Sequence, residues 1–338
     1  MSPRVTIVIP NWNGKSFVEV CLGSLRQQSF GDFETVLVDN GSTDDSVAFV
    51  EENFPEVRVV RLPENLGFSA AVNAGIKASK ADLVALLNND TEVDPGWLEA
   101  LVRAADDHPE AGFFASKLVD FHDRRLLDGA GDALRKSGLP YRLGHGERDR
   151  GQFEREAFVF SACAAAALYR RSVFTEIGLF DEDFFSNCED GDLSFRAQLA
   201  GYRCVYIPDA VVYHIGSAST GGQKSVLNTR LGAQNGINLL VKNLPAALIA
   251  KSLPFVLAGQ LSRLAVTALT PGLFRAYLSG LAGAGRLLPR MLKKRREIQK
   301  RRRVSDDYVM RLLRESSRHV SASRRRRIRD RIALRLLR

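Results

Sequence analysis

A chain of 338 residues has room for one large domain or two. With 45% hydrophobic and 26% charged residues it sits at the soluble globular average, which argues against wholesale disorder and against a polytopic membrane protein. The net charge of +9 is unevenly placed: residues 290–338 carry 20 Lys+Arg against 5 Asp+Glu, while the rest has 28 basic and 34 acidic residues.

The first hundred residues alternate between strand and helix patterns. VTIVIP (5–10) is a short buried strand, too short for a signal-peptide core and lacking a cleavage site. Residues 16–27 place Phe17, Val20, Cys21, Leu22 and Leu25 on one helical face. ETVLVDN (34–40) is the second strand, closed by the turn residues Gly41-Ser42-Thr43-Asp44. A helix through 45–53, a strand at 57–62, a helix within 65–79 and a strand at 81–88 follow. Asp94-Pro95 reads as an N-cap and first-turn proline for a helix over 96–107. This alternation predicts an α/β fold with a doubly wound, mostly parallel sheet, which binds ligands beyond the carboxyl ends of its strands. There the polar residues collect: Pro10-Asn11-Trp12-Asn13-Gly14, Asp39-Asn40-Gly41 and Asn88-Asn89-Asp90-Thr91. Any one of these clusters also suits a plain turn; three on one sheet edge point to a site.

Residues 120–157 are polar and glycine-rich, either a long functional loop or a small hairpin insertion. Residues 159–180 offer a buried strand and a short helix, and 180–202 a carboxylate-rich turn entering a helix that ends near Gly201. One or two strands then run through 204–216 into His214. The four cysteines, Cys21, Cys163, Cys188 and Cys204, include no C-x-x-C pair, so a reducing cytosol fits better than a zinc or disulfide framework.

The motifs VTIVIPNWNG, LVDNGSTDDS, NLGFSAAVNAG, LLNNDTEVDPGWL, GLFDEDFFSNCEDGDLSFRAQLAGYRCVYIPDAVVYH and GSAST occur in order. In content and spacing the chain resembles the family 2 inverting glycosyltransferases of GT-A fold, nearest the rhamnosyltransferase-like subgroup, over about residues 4–243. The resemblance implies a nucleotide-diphosphate sugar donor held by Pro10, Asn11, Asn13, Asp39, Asn40, Asn65, Asn73, Asn88 and Asn89. Asp39 would accept from the imide N–H of the base, a task suited to a carboxylate; an Asx-turn after the strand is its other reading. For Asn65 the other reading is a helix N-cap.

The family's Asp-x-Asp-like motif falls on Asn88-Asn89-Asp90, so Asp90 matches the last acid and Asn88 departs from the first. Asp90 and His214 are the implied ligands of a divalent cation, Mn²⁺ or Mg²⁺. One or two carboxylates with phosphate and water suffice for Mg²⁺, and an imidazole suits Mn²⁺ better. A lone histidine at a strand end also has a structural reading. Asp190 is the implied catalytic base and Glu189 its supporting group. An acidic pair opening a helix also complements the helix dipole, but Asp181, Glu182, Asp183 and Asp192 crowd nearby, and such neighbours raise the pKa of one among them. The segment Gly232-Ala233-Gln234-Asn235-Gly236 lacks the basic residue that relatives carry there; Lys224, Arg230 and Lys242 are the candidate substitutes.

Beyond residue 243 the chain reads as apolar interfacial helices over 244–289 and a basic helical tail over 290–338. Uncharged stretches of 10 or 11 residues between Lys251, Arg263, Arg275 and Arg286 are too short to span a bilayer. Pro245, Pro254, Pro271 and Pro289 are expected to cut the segment into short helices. Short apolar helices followed by a basic run suit an anionic membrane surface, here the cytoplasmic face of the cell membrane. Nucleic acid is not an expected partner, since no aromatic residue interleaves the arginines of 318–338. The expectation is a hexosyltransferase acting by metal-assisted single displacement. It would move a deoxyhexose such as L-rhamnose from its dTDP form, or a sugar from UDP, onto a polyprenyl-linked or other envelope glycan acceptor. Two alternatives stay open: a sugar-1-phosphate nucleotidylyltransferase, for which PNWNGKSF lacks a glycine-rich basic loop, and a non-catalytic membrane-bound scaffold, suggested by Asn88.

Overall fold

A computed structural model describes residues 2–216 and 225–336. Ser217–Thr220 of the GSAST motif and Lys224 lie outside the described residues.

Four strands, β1 (Val5–Asn11), β2 (Phe33–Asp39), β3 (Arg58–Arg61) and β4 (Leu83–Leu87), form a parallel block in the order β4-β1-β2-β3. Their connecting helices are α1 (Lys15–Leu25), α2 (Ser46–Asn53) and α3 (Phe68–Ala78). Alternate side chains bury on opposite faces of each strand. Val5, Ile7 and Ile9 meet α1 and α4 (Trp97–Asp107), whereas Val8, Val36 and Val38 meet Ala71, Val72 and Ile76 of α3. This is the doubly wound arrangement expected. Gly96 rather than Asp94 caps α4; the Asp94 carboxylate accepts from the Gly96 N–H at 3.0 Å.

The sheet continues through β6 (Ala111–Asp120), β11 (Ala166–Arg170) and β12 (Arg203–His214), giving the order β12-β6-β11-β4. β11 runs antiparallel to both neighbours, and β12 lies parallel to β6. β6 is absent from the elements read in the sequence because its run AGFFASKLV is buried almost throughout and has no alternation to mark it. Short β5 (Thr91–Val93) pairs antiparallel with β12 and sets His214 opposite Thr91. β10 (Ala157–Val159) closes the β12 edge.

Of the two readings of 120–157, the hairpin is the one realised. β7 (Leu127–Ala130) pairs with β6, and β8 (Asp132–Leu134) pairs with β9 (Pro140–Arg142). After α5 (Arg171–Ile177) comes α6 (Glu189–Leu199), which packs Leu193 and Ala197 on the α3 face of the sheet.

The C-terminal helices correct the expectation of short pieces. α7 (Val226–Asn243) is followed by α8 (Ala246–Ala268), with Pro254 inside it, and α9 (Pro271–Arg301), with Pro289 inside it. Pro245 and Pro271 do mark helix starts, where a missing N–H costs nothing. An internal proline costs about 3 kcal/mol; in α9 close packing along α7 outweighs it. Gly280 sits so near the Arg230 carbonyl that a Cβ would lie 2.2 Å from that oxygen, and buried Ala284 follows one turn on. α10 (Asp306–Leu336) buries Val309 and Leu313 against Phe195 and Leu199 of α6 and Leu239 of α7. No described helix is long and apolar enough to cross a membrane.

Candidate active site

On the parallel block the expected donor residues meet, and most are committed to one another. Asn11 is buried; its amide donates to Ser46 at 3.0 Å and its oxygen accepts from Asn89 at 2.7 Å. Asn13 adopts a positive φ of 50°, and its oxygen accepts from the Thr43 N–H. Asp39 closes an Asx-turn, accepting from the Ser42 N–H at 3.1 Å; its second oxygen carries no hydrogen bond among the described residues. The turn and a base-binding role are therefore compatible. Pro10, next to last in β1, lies beside them, half-buried. Asn40 donates to Asn65 at 3.0 Å and to the Gly67 carbonyl at 3.2 Å. Asn65 also accepts from the Gly67 N–H, so it shapes the turn into α3 while Gly67 is the N-cap.

Asn73 is corrected. It is buried, donates to the Phe180 carbonyl and to Glu182, each at 2.9 Å, and accepts from the Phe180 N–H. Both amide hydrogens are spent bracing the loop ahead of α6, so none remains for a nucleotide.

At the end of β4 the pairing of β5 with β12 brings Asp90 and His214 together: His214 Nε2 lies 3.4 Å from Asp90 Oδ1. Both are buried, and among the described residues Nε2 meets no group in hydrogen-bond geometry, Asp90 facing it at ion-pair distance only. The other ring nitrogen, Nδ1, is 2.7 Å from Asp128 Oδ2. Asp128 thereby orients the ring and leaves Nε2 toward Asp90. Burial opposes a charged ring, but the Asp128 hydrogen bond and the facing Asp90 carboxylate win and hold the His214 pKa up at about 9. Surroundings that favour a proton here also favour a metal cation in its place. The orphaned imidazole nitrogen, the neighbouring carboxylate and the unpartnered buried Asn88 Oδ1 fit a divalent ion.

Asp128 was not foreseen, nor were its companions. His145 Nδ1 stands 2.9 Å from its Oδ1, and Arg142 Nη1 donates to Oδ2 at 2.8 Å. Burial would raise its pKa, but Arg142 and the two histidines hold it far below the usual carboxylate range. Arg142 also donates to Cys163 Sγ at 2.8 Å, and its Nε lies 3.8 Å from Asp132. Asp132, Cys163 and Asp190 place ligand-capable atoms within 4.8 Å of one another. Burial lifts Asp132 to about 7, with Arg142 opposing and Asp190 and Asp128 adding to the rise. A connected path thus runs Asp90–His214–Asp128–Arg142–Asp132/Asp190, joining the two halves of the expected site. Its middle members come from the glycine-rich hairpins, where the only signal was acids and a cation set among glycines.

Asp190 opens α6 and is half-buried. It accepts from the Gly191 N–H at 2.7 Å and, more weakly, from the Ala164 N–H at 3.4 Å. Burial raises its pKa, while these N–H groups and Arg142 pull it back. Glu189 is buried, with one oxygen unpartnered; burial and then Asp190 lift it to about 8. The approach to this pair is strained: Phe185, Asn187 and Cys188 all take positive φ near 60–69°. Buried Asn235 holds the strained turn by donating to the carbonyls of Phe184, Ser186 and Asn187. Asp181 and Asp192 are neutralised by Lys242, at 2.6 and 2.7 Å, so that lysine is an internal counter-ion and no substitute for the missing basic group. Arg230 lies exposed on α7.

The family model for glycosyl transferase family 2 matches residues 6–178, just over half of the chain. The chain belongs to that family. A Mycobacterium tuberculosis N-acetylglucosaminyl-diphospho-decaprenol L-rhamnosyltransferase is 30% identical over 245 residues, covering 65% of this chain and 79% of that protein. The uncharacterized protein y4gI of Sinorhizobium fredii is 33% identical over 235 residues, of which this chain spans only a quarter. The structure of GalNAc-T7 with UDP, GalNAc and Mn²⁺ superposes with a TM-score of 0.61 at 17% identity, over 83% of this chain and 57% of that one. The fold is therefore the GT-A α/β fold with added C-terminal helices, and the protein is a glycosyltransferase of family 2.

Proposed function

We propose that the protein is an inverting glycosyltransferase that moves a hexose, L-rhamnose from its dTDP form or a sugar from UDP, onto a lipid-linked envelope glycan. The observation that carries this reading is the pairing of Asp90 with the unpartnered His214 nitrogen on one side and a half-buried, pKa-raised Asp190 on the other, linked through Asp128 and Arg142. Asp190 takes the proton of the acceptor hydroxyl as its oxygen bonds to the anomeric carbon and the carbon–oxygen bond to the diphosphate breaks. A raised pKa suits that proton transfer. With no second carboxylate acting as nucleophile, one displacement inverts the anomeric centre. Asp90 and His214 would hold Mn²⁺ or Mg²⁺, which offsets negative charge on the departing diphosphate. Asp39 and the end of β1 take the base.

The lipid-linked acceptor follows the M. tuberculosis relative, whose name specifies one. Leu253, Leu257 and Leu261 form an exposed stripe on α8 at four-residue spacing, and basic α9 and α10 follow; this favours docking at the cytoplasmic face of the membrane.

The test is thermal unfolding with dTDP, UDP, GDP or ADP, each with Mn²⁺, Mg²⁺ or chelator. A nucleotide at a hundred times its dissociation constant adds about 2.7 kcal/mol. The reading expects a metal-dependent shift with dTDP or UDP that Asp90→Ala abolishes. No shift with any nucleotide would leave the non-catalytic scaffold as the better account.

A further inference from the structure

The turn of the β8–β9 hairpin and one face of α10 border an open surface cavity of about 440 Å³ lined by Lys136, Arg314, Ser317, Arg318, Ser321 and Arg325. No acid lines it. Arg314, Arg318, Ser321 and Arg325 stand at i, i+4, i+7 and i+11, one stripe of the helix. The two serine hydroxyls bond to carbonyls of their own helix, at 2.7 and 2.8 Å, so the cavity's free donors are the four cations. None of these four has a carboxylate partner among the described residues. Other cations of α9 and α10 do have such partners: Arg290 and Lys294 pair with Asp183, and Arg326 with Glu147. Four like charges gathered around a cavity repel one another and lower that cost when an anion enters.

α10 is held in place by contacts that do not involve the cavity. Ser323 bonds to buried Glu147 and accepts from Tyr141 at 2.8 Å, and Tyr308 donates to Gln198 at 2.8 Å. On its other flank the cavity meets the apolar helix: Lys136 lies over the Phe255 ring at 5.2 Å, and Gly259 of α8 packs on Ser137. Phe255 belongs to the exposed apolar surface of α8. The hairpin itself leads toward the chemistry, since Lys136 is four residues from Asp132, at most about 13 Å of strand, and Asp132 lies beside Asp190.

We infer that this cavity binds the diphosphate of the lipid-linked acceptor. Arginine and lysine at such spacing recognise phosphate oxygens, the adjoining α8 face takes the hydrocarbon chain, and the hairpin sets the sugar end near Asp190. The inference rests on the acceptor reading above and extends it to a site.

The experiment uses the full-length protein and three kinds of vesicle: phosphatidylcholine alone, phosphatidylcholine doped with a polyprenyl diphosphate, and phosphatidylcholine doped with phosphatidylglycerol to the same charge. Co-sedimentation is expected to show roughly tenfold tighter binding to the diphosphate vesicles than to the charge-matched ones. The variant Lys136→Ala/Arg314→Ala/Arg318→Ala/Arg325→Ala should lose that preference, whereas Lys293→Ala/Arg296→Ala/Lys300→Ala/Arg301→Ala, with the same charge removed from exposed α9, should keep it. The single variant Lys136→Glu, outside α10, should weaken the preference with the melting temperature unchanged. Equal binding to both doped vesicles would assign the cavity to bulk headgroups and overturn the inference, as would a preference that survives in the four-fold cavity variant. The nucleotide-dependent thermal shift is read on the same proteins. Its absence in the parent chain would fail the donor reading alone, and its persistence with no diphosphate preference would fail this inference alone.

Discussion

Replacing Arg142 with methionine tests the path that joins the two halves of the site. The guanidinium holds Asp128 at 2.8 Å, Cys163 at 2.8 Å and stands 3.8 Å from Asp132. Methionine keeps much of the stem's volume, so the space beside Gly129 stays filled; a Cβ there would already lie 2.8 Å from the arginine stem. What is lost is the cation among three carboxylates. Asp128 retains His145 and His214, while Asp132 and Asp190 lose their opposing charge. Removing one partner of a buried pair costs about 3–5 kcal/mol, a large share of the roughly 5–15 kcal/mol that keeps a domain folded. The second effect has a definite sign. Arg142 pulls the Asp190 pKa down, so Arg142→Met lets it rise, and the base stays protonated to higher pH. The acidic limb of the pH–rate profile should therefore move to higher pH. Urea unfolding and initial rates across pH at saturating donor measure the two effects separately. Arg142→Lys should recover part of both, since an ammonium restores the charge without the fork that spans Asp128 and Cys163. Stability within about 1 kcal/mol of the parent, together with an unmoved acidic limb, would refute the reasoning.

Asn73→Ala removes the amide bonds to Phe180 and Glu182 and should cost about 1–3 kcal/mol in urea unfolding. The nucleotide-dependent thermal shift should persist, and its selective loss with unchanged stability would return Asn73 to the donor site. Glu189 predicts a pH dependence of stability. Burial and Asp190 lift its carboxyl from 4.5 to about 8, so the folded chain keeps a proton that the unfolded chain has released between those values. Its contribution is complete below pH 4.5 and is lost as pH rises through 8. Melting temperature followed across that window should fall more steeply in the parent than in Glu189→Gln; equal slopes would place the carboxyl near its ordinary value.

The fold was legible because β1 to β4 are short apolar runs closed by turn residues and separated by segments of helical period. Val5, Ile7 and Ile9 alternate with Thr6 and Val8, and the turn residues stand where strands end. β6 is buried on both faces as well, and its run AGFFASKLV follows α4 with no polar alternation to mark it. Asp90, His214 and Asp190 were legible through family motifs, and the structure brings Asp90 and His214 to 3.4 Å. Asp128, Asp132 and Arg142 were not. Their meaning depends on β7 pairing with β6 and on β9 folding back on β8, pairings between short strands that have no hydrophobic pattern. Asn73 shows the converse: its position in a motif suggested a ligand contact, but its partner is a backbone a hundred residues away, which no local reading contains.

The same long-range commitments change the standing of the C-terminal helices. Asp181 and Asp183 belong to the turn that delivers Glu189 and Asp190, and Lys294 of α9 bridges both of them while Lys242 of α7 joins Asp181 to Asp192. Asn235 of α7 meanwhile holds the three carbonyls of the strained turn. Left-handed φ at three non-glycine residues costs of order 1–3 kcal/mol apiece and persists only where surrounding contacts fix it. Those contacts come from α7 and α9, so the basic helix α9 also sets the geometry of the turn that leads to Glu189 and Asp190. A chain cut at residue 243 would lose Lys294 and the α9 packing along α7 as well as the exposed apolar and basic surface of α8 to α10. Loss of turnover in that truncation would therefore report on the turn ahead of Glu189 and Asp190 as well as on the removed surface, whereas the cavity variants above leave Lys294, Lys242 and Asn235 in place.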